Sequence, residues 1–307
     1  MTRATRRAFP AAVLVALVIA ALALGGAAWW FNARTRPDAV SNRVVAQLVE
    51  RHPGASVATL GHALLRVTMP SGLYIDARLE PAIQKCRDDR FDCSNAIDRI
   101  VADVERAGLL SARPRLADLR ARVIGESSPG FRFGFVTEPL IGALEVRYAL
   151  VAGAASTFVT STIADRLGVD RAQLRQAALM NLAAEGEARA ELLSDSPGVY
   201  RVISNDDAVA NLLDAARMQK LATLVGSNRL YCAVPERGVL LLVRADAAGK
   251  QALIQRARSR SGRTLDRERD DARPGAEPGG RSGQSELFVY DKGAPEGQAL
   301  SMAGTGP

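Results

Sequence analysis

The chain has few aromatic residues, cysteines and histidines, and these shortages exclude several kinds of functional site. Aromatic side chains make up 5% of the 307 residues, and there are three cysteines and two histidines. A disulfide-dense scaffold, a Cys/His zinc module and a His-rich metal site each need more of these residues. His52 and His62 lie ten residues apart, too far for an H-E-x-x-H zinc site, and we expect both to be structural.

The sequence also lacks the short motifs of common nucleotide-dependent and hydrolytic enzymes. It contains no P-loop, no G-x-G-x-x-G stretch, no G-x-S-x-G elbow and no S-x-x-K. With two histidines, a Ser/His/Asp triad has to recruit His52 or His62. These absences favour a protein that binds rather than catalyses, and no cofactor is expected.

Two adjacent carboxylates are the weak catalytic candidates that remain. Asp206 and Asp207 follow a predicted strand and open a predicted helix. Paired carboxylates at such a place can hold a divalent cation, whereas Asp is also a preferred helix N-cap and negative charge is favourable at a helix start. The capping interpretation is favoured. Glu185, Glu187 and Glu191, near a predicted helix end with no histidine nearby, are interpreted as solvated surface.

The positive charge of the chain is concentrated outside its central part. The net charge is +7, but residues 38–255 carry 26 basic and 25 acidic side chains, while residues 1–37 carry five Arg and no acid. A nucleic-acid-binding surface needs a basic excess to displace counterions from phosphates, so a nucleic-acid partner is not expected. Arg outnumbers Lys 36 to 4, as a compositional bias would produce, so a single Arg carries little functional information.

The N-terminal segment has the pattern of a membrane anchor. Residues 9–31 are uncharged and mainly apolar, and a helix of that length spans roughly 34 Å, enough for a bilayer core of about 30 Å. Trp29 and Trp30 lie at the end of the segment, where an interfacial aromatic belt belongs. The alternative is a signal peptide cut after Ala23. The pattern favours a single-pass protein of the bacterial inner membrane, with a periplasmic domain or, alternatively, a cytoplasmic one.

Two cysteines bear on the same question of compartment. Cys86 and Cys93 flank six polar or aromatic residues and can close an eight-residue loop by a disulfide. Such a bond persists only in an oxidising compartment. The alternative is that Cys86 packs as a small apolar residue and Cys93 is a solvated thiol. Both interpretations stay open at this stage, and Cys232, inside a predicted strand, is expected in the core.

The remaining pattern predicts an α+β protein with mixed sheets and helices. Apolar runs predict strands over 144–151, 230–234 and 239–243, and helical repeats predict helices over 38–51, 94–106 and 170–193, whereas residues 112–140 give no clear pattern. Residues 1–37 form the tail and anchor, 38–197 an N-terminal α+β part, 198–290 a second part, and 291–307 a disordered tail. In the second part the order of elements is βαββαβ, which is typical of a ferredoxin-like split sheet. Residues 256–285, with eight Arg, five acids and hardly any apolar side chain, are predicted to be a disordered insertion.

One local pattern resembles a helix-turn-helix. In residues 162–175 a small residue, Ala164, precedes Gly168 by four positions, and Leu174 supplies an apolar position in the second helix. Arg171, Gln173 and Arg175 would then face bases. Residues 160–190 have zero net charge, however, so an ordinary helix pair is favoured. Asn181, in the middle of a predicted helix, is expected to make a tertiary hydrogen bond.

Several short stretches resemble a bacterial family of unknown function. They are residues 144–148, residues 158–160, residues 167–170 running into 177–182, and residues 233–241. On these stretches the chain is similar to the YtpQ-like family, and the resemblance covers most of residues 60–290. It implies no known reaction and no catalytic residue. The membrane segment departs from the family, whose typical members look like soluble cytoplasmic proteins.

Together these observations predict a membrane-anchored, non-catalytic binding or scaffolding module at the bacterial inner membrane, with a protein partner of unknown identity. The predicted docking surface is an edge, or a helix-free face, of the second sheet. Two alternatives are a carboxylate- or metal-dependent enzyme of unknown reaction, using Asp206 and Asp207, and a membrane-tethered helix-turn-helix regulator.

Overall fold

A computed structural model describes residues 37–60, 63–89, 92–125, 134–142, 144–205, 207–236, 238–246, 248–257, 286–291 and 294–301. The predicted anchor over 9–31, with Trp29 and Trp30, lies outside these residues, as do His62, Asp206 and residues 258–285 of the predicted insertion. Among the helices that are described, none has the length and apolar character to cross a membrane.

The helices are α1 (Pro37–Arg51), α2 (Glu80–Asp88), α3 (Cys93–Ala112), α4 (Ser161–Leu167), α5 (Arg171–Ala184), α6 (Ala215–Val225) and α7 (248–257), with 3-10 turns at Leu116–Asp118 and Ala208–Leu213. The strands are β1 (Ser56–Thr59), β2 (Leu64–Thr68), β3 (Tyr74–Arg78), β4 (Leu119–Gly125), β5 (Thr137–Ile141), β6 (Leu144–Ala152), β7 (Ala155–Phe158), β8 (Arg189–Leu192), β9 (Tyr200–Ile203), β10 (Arg229–Glu236), β11 (Val239–Arg244), β12 (Glu286–Asp291) and β13 (Ala294–Ser301). Helices and antiparallel sheets together make the predicted α+β class.

The chain divides into two compact units. The first contains the described residues up to Gly72 and Asp76–Asp103, and the second contains Leu73–Ile75 and the described residues from Val104 onward. The boundary predicted between 197 and 198 is therefore wrong. Its two sides belong to one sheet, because β8 pairs antiparallel with β9 across the turn that contains Pro197 and Gly198.

In the first unit, a helical repeat of apolar residues explains α1, where Val40, Val44 and Leu48 are fully buried. Strand β1 pairs antiparallel with β2, and β3 follows β2 in the sheet. The helix predicted from Ser94 to Arg106 is longer than expected, since α3 begins in this unit and continues, with its residues from Val104 in the second unit, through Gly108 to Ala112. Its stripe of buried apolar residues also continues, which outweighs the cost of about 1 kcal/mol for a glycine inside a helix.

In the second unit, one sheet is built around β6, which pairs antiparallel with β4, β5 and β7. Strand β6 was predicted over residues 144–151 and is confirmed. Residues 112–140 gave no clear pattern, and they contain β4 and β5. Helix α5 was predicted to run to Leu193, but it ends at Ala184 because Gly186 adopts a positive φ of 94°, and the following residues form β8.

The other sheet of this unit has the order β13-β12-β10-β11-β9-β8. The element order of the split sheet is present, but the ferredoxin-like detail is not confirmed. In that arrangement the last strand lies beside the first, whereas β12 pairs with β10 and the free side of β9 is taken by β8. The tail predicted to be disordered from 291 contains β13, which pairs antiparallel with β12.

Helices cover both faces of this sheet. Along β10, Leu230, Cys232 and Val234 face a core with α6, whereas Ala233 belongs to a core with α7. The nearly continuous apolar runs of β10 and β11 follow from this burial on two faces. The predicted helix-free face is therefore absent from the part of the sheet that the structure describes, and docking at a sheet edge stays a prediction.

Candidate functional site

Cys86 and Cys93 are joined by a disulfide in the first unit. Cys86 lies in the last turn of α2 and Cys93 is the first residue of α3, so the bond links the end of one helix to the start of the next. Both residues are buried. The Arg43 guanidinium on α1 lies 3.5 Å from the Cys93 sulfur and donates to the Ser94 hydroxyl over 3.1 Å. The bond therefore joins two helices to which α1 is also tied.

Asp207 acts as a helix N-cap. Its carboxylate accepts a hydrogen bond of 3.0 Å from the backbone N–H of Val209 at the start of the 3-10 turn, and the residue is buried. Asp206 lies outside the described residues. Over the ranges that are described, no three His, Cys, Asp or Glu residues are grouped closely enough to hold a metal ion. The hydrogen bond from the Val209 N–H to the Asp207 carboxylate is the bond that the capping interpretation predicts.

The end of α5, the 3-10 turn and α6 meet in a polar cluster around Arg217. The Arg217 guanidinium donates to the side-chain oxygen of Asn211 over 3.1 Å, to the Gly186 carbonyl over 2.6 Å and to the Leu182 carbonyl. Asp214 caps α6 by accepting from two backbone N–H groups, and it lies 3.6 Å from Arg217. Asn211 is fully buried. One guanidinium thus ties the last turn of α5 and the turn that follows it to the 3-10 turn and to α6.

The three glutamates interpreted as one solvated surface have different surroundings. Glu185 follows α5 and forms an ion pair with Arg120 of β4, with 13% of its side chain exposed, so the solvated interpretation is wrong for this residue. Glu187 is exposed and pairs with Lys220 over 2.6 Å, which lowers the pKa of its carboxyl. Glu191 lies on β8 rather than on a helix.

A second polar group joins β5, β6 and α5. The Tyr148 hydroxyl donates to Glu138 over 2.5 Å, and the other carboxylate oxygen of Glu138 accepts from Arg175 over 2.8 Å. Burial, with a smaller contribution from the Glu138 carboxylate, raises the pKa of Tyr148 well above its ordinary value. Tyr148 has no exposed surface, so this hydroxyl is out of reach of a substrate.

The helix-turn-helix candidate is a helix pair joined at Gly168, which adopts the left-handed conformation that ends α4. Gln173 forms a capping box with Asp170 at the start of α5, and Arg175 binds Glu138. Two of the three side chains assigned to base contacts therefore make bonds within the chain. Asn181 donates to the carbonyls of Leu116 and Leu119 over 2.6 and 2.8 Å, which confirms its predicted tertiary bond.

Two buried side chains lie in the core beneath α6. Cys232 is a free thiol with no exposed surface, as predicted, and burial raises its pKa. Burial also raises the pKa of Tyr290 to about 12, with smaller contributions from Cys232 and Asp214. Within the described ranges the Tyr290 hydroxyl has no hydrogen-bond partner. Neither group is placed to meet a ligand.

Sequence reasoning missed Arg217 and Asp214 because their function depends on neighbours brought together by folding. A signal existed at Asp214, an Asp preceding the helical stretch Ala215-Ala216-Arg217-Met218, which is a usual N-cap pattern.

Comparison with known proteins adds no identity, since no protein-family model, no curated protein and no solved structure matches the chain.

Proposed function

We propose that the chain is a membrane-anchored, non-catalytic binding or scaffolding module whose folded part lies outside the cytoplasm at a bacterial inner membrane. The observation that carries the proposal is the disulfide between Cys86 and Cys93, because such bonds persist in oxidising compartments. The apolar stretch over 9–31, with Trp29 and Trp30 at its end, supplies the anchor.

The polar groups of the described residues support binding over catalysis. Asp207 caps a turn, Arg175 and Tyr148 bind Glu138, and Arg217 binds helix-end carbonyls. Each of these groups has a role in holding the fold. The YtpQ-like resemblance remains part of the proposal, and it adds no reaction.

Orientation is tested with the full chain in spheroplasts. Leu109 is 71% exposed, so a Leu109→Cys variant carries a reactive reporter thiol. A membrane-impermeant maleimide is expected to label this variant before lysis. The unsubstituted chain is the matched control, since its one free cysteine, Cys232, is buried and should stay unlabelled until the protein is unfolded.

The redox state is read in the same cells. After acid quenching and unfolding, a polyethylene glycol maleimide is expected to add two further labels, on Cys86 and Cys93, only if a reductant is supplied. Labelling of the Leu109→Cys variant only after lysis, with Cys86 and Cys93 reactive without reductant, would place the domain in the cytoplasm and overturn the proposal.

A further inference from the structure

Strand β8 (Arg189–Leu192) forms one edge of its sheet, with β9 on one side and no described strand on the other. Arg189, Glu191 and Leu192 are exposed, and Leu192 shows 54% of its surface. An edge strand presents unpaired backbone N–H and C=O groups and is a template for another strand. Within the described residues, neither Arg189 nor Glu191 forms an ion pair.

The hydrogen bonds of β8 indicate which residues point outward. The Leu193 N–H donates to the Val199 carbonyl over 2.9 Å, so residue 193 faces β9. Hydrogen bonding in an antiparallel ladder alternates along the strand, so Arg189 and Glu191 bond to β9 as well. The backbone groups of Ala190 and Leu192 therefore point away from the sheet, where they are available to a second strand.

We propose that β8 pairs antiparallel with β8 of a second copy of this chain, around a two-fold axis at Ala190. In this register the outward backbone groups of Ala190 meet those of Ala190 in the second copy. Arg189 then lies opposite Glu191 of the second copy, and Glu191 opposite Arg189. These are non-hydrogen-bonded pairs, whose Cα atoms approach to about 4.5 Å, the closest approach in a sheet.

The charges select this register. In the two neighbouring registers that use the same outward backbone groups, one strand is shifted by two residues along the other. One such shift places Arg189 opposite Arg189, and the other places Glu191 opposite Glu191, and like charges directly opposite each other destabilise a strand pair. Only the register centred on Ala190 makes both pairs attractive. The edge is therefore self-complementary, as a two-fold interface requires.

An apolar contact accompanies the ion pairs. Leu192 lies on the sheet face that it shares with Ala190, and in this register it is opposite Ala188 of the second copy, which removes exposed apolar surface from water. A four-residue strand makes a small interface, so the pairing is weak in dilute solution. The anchor, which rests on the proposed function, raises the effective concentration of copies held in one membrane.

The pairing is tested by sedimentation equilibrium of the full chain in density-matched detergent micelles. Arg189→Glu and Glu191→Arg each turn two attractive pairs into repulsive ones, and each should raise the dimer dissociation constant about tenfold. An equimolar mixture of the two variants should form heterodimers, because each charged side chain of one variant then faces the opposite charge in the other. The Arg189→Glu, Glu191→Arg double variant should recover the original dissociation constant. Arg113→Glu is the control for Arg189→Glu, because it makes the same charge change on an exposed residue after α3, and it should leave the dissociation constant unchanged.

Backbone pairing is tested separately with Ala190→Pro. The Ala190 N–H points away from β9, so proline there removes a bond to the second copy and none to β9. The variant should stay folded by circular dichroism and sediment as a monomer. A monomeric unsubstituted chain at every concentration, or a dimer indifferent to both charge reversals and to Ala190→Pro, would overturn the pairing. The maleimide labelling that tests the proposed function is independent of the sedimentation result. A chain that is exported but monomeric overturns only the pairing, and a chain that is cytoplasmic but dimeric overturns only the proposed function.

Discussion

The Asn181 side chain on α5 donates to the backbone carbonyl of Leu119, the first residue of β4, over 2.8 Å. Its second bond, to the Leu116 carbonyl, closes the 3-10 turn that leads into β4. One amide in the last turn of a helix thus ties that helix to the start of a strand more than 60 residues earlier.

Replacing Asn181 with Ala is expected to lower the free energy of unfolding by about 1–2 kcal/mol, because the two side-chain hydrogen bonds to the carbonyls of Leu116 and Leu119 are lost. Urea denaturation followed by circular dichroism measures the change. Met180→Ala is the matched control, since Met180 is the neighbouring residue and is 66% exposed. Equal effects of the two substitutions would contradict the role given to the amide.

Removing the disulfide is expected to destabilise the folded chain by about 2.5 kcal/mol, the entropy of closing an eight-residue loop in the unfolded state. The Cys86→Ala, Cys93→Ala double variant and the reduced unsubstituted chain should show similar losses in urea denaturation. Reductant should have no effect on the double variant. If reductant destabilises that variant as well, the loss has another origin than this bond.

Asp207 offers a direct contrast between capping and metal binding. Asp207→Ala should lower the free energy of unfolding by about 1 kcal/mol, whereas Asp207→Asn should stay close to the unsubstituted chain, because Asn is an equally good N-cap. Mg²⁺ should leave the thermal unfolding midpoint of all three proteins unchanged. A midpoint that rises with Mg²⁺ and no longer does so in Asp207→Asn would support the enzyme alternative instead.

Tyr290 is expected to make stability depend on pH in the alkaline range. Its pKa is raised from about 10 in the unfolded chain to about 12 in the folded one, chiefly by burial. The folded state binds the proton more tightly, so this contribution is complete below pH 10 and is lost as the pH rises to 12. Denaturation midpoints between pH 8 and 12 measure the loss, and Tyr290→Phe should make it smaller. The loss that remains comes from Cys232 and Tyr148, whose pKa values burial also raises.

The same substitution has an expected effect at neutral pH. The Tyr290 hydroxyl is buried with no hydrogen-bond partner among the described residues, so Tyr290→Phe should stabilise the chain by about 1 kcal/mol. Urea denaturation at pH 7 is the measurement. A destabilised Phe variant would mean that the hydroxyl has a partner after all.

Elements with a strong local pattern were predictable from the sequence. The apolar runs of β10 and β11 and the alternation in β6 gave strands close to their observed bounds. The helical repeat of α1 likewise gave a helix close to its observed bounds. Asn181 was recognised because a polar residue in the middle of a predicted helix needs a hydrogen-bond partner. In each case the signal is contained in a few consecutive residues.

Elements that depend on a neighbouring strand were not predictable. Strands β8 and β13 lie at the two edges of their sheet, and their sequences contain few apolar residues. Backbone hydrogen bonds to β9 and β12 hold them, and these bonds depend little on side-chain type. The strand order that separates this sheet from a ferredoxin-like one has the same origin, since β12 can pair with β10 or β9 without a change of local pattern.

The candidate site shows the same limit. Asp207 was found because it precedes a turn, and its capping bond is local. The ion pair of Glu185 with Arg120 joins residues 65 positions apart, so no local spacing could indicate it. Burial of such a pair depends on where α5 packs against β4, which the sequence alone does not reveal.

The bonds of Arg217 set a limit on how freely this protein can change in evolution. The chain has 36 arginines, and lysine can replace arginine at a surface position where a single positive charge is sufficient. Arg217 instead reaches an amide oxygen and two carbonyls at once, and only a planar fork of donors can do so, because the lysine ammonium is one compact point. A chain rich in arginine by composition therefore contains at least one position where that residue is irreplaceable by geometry.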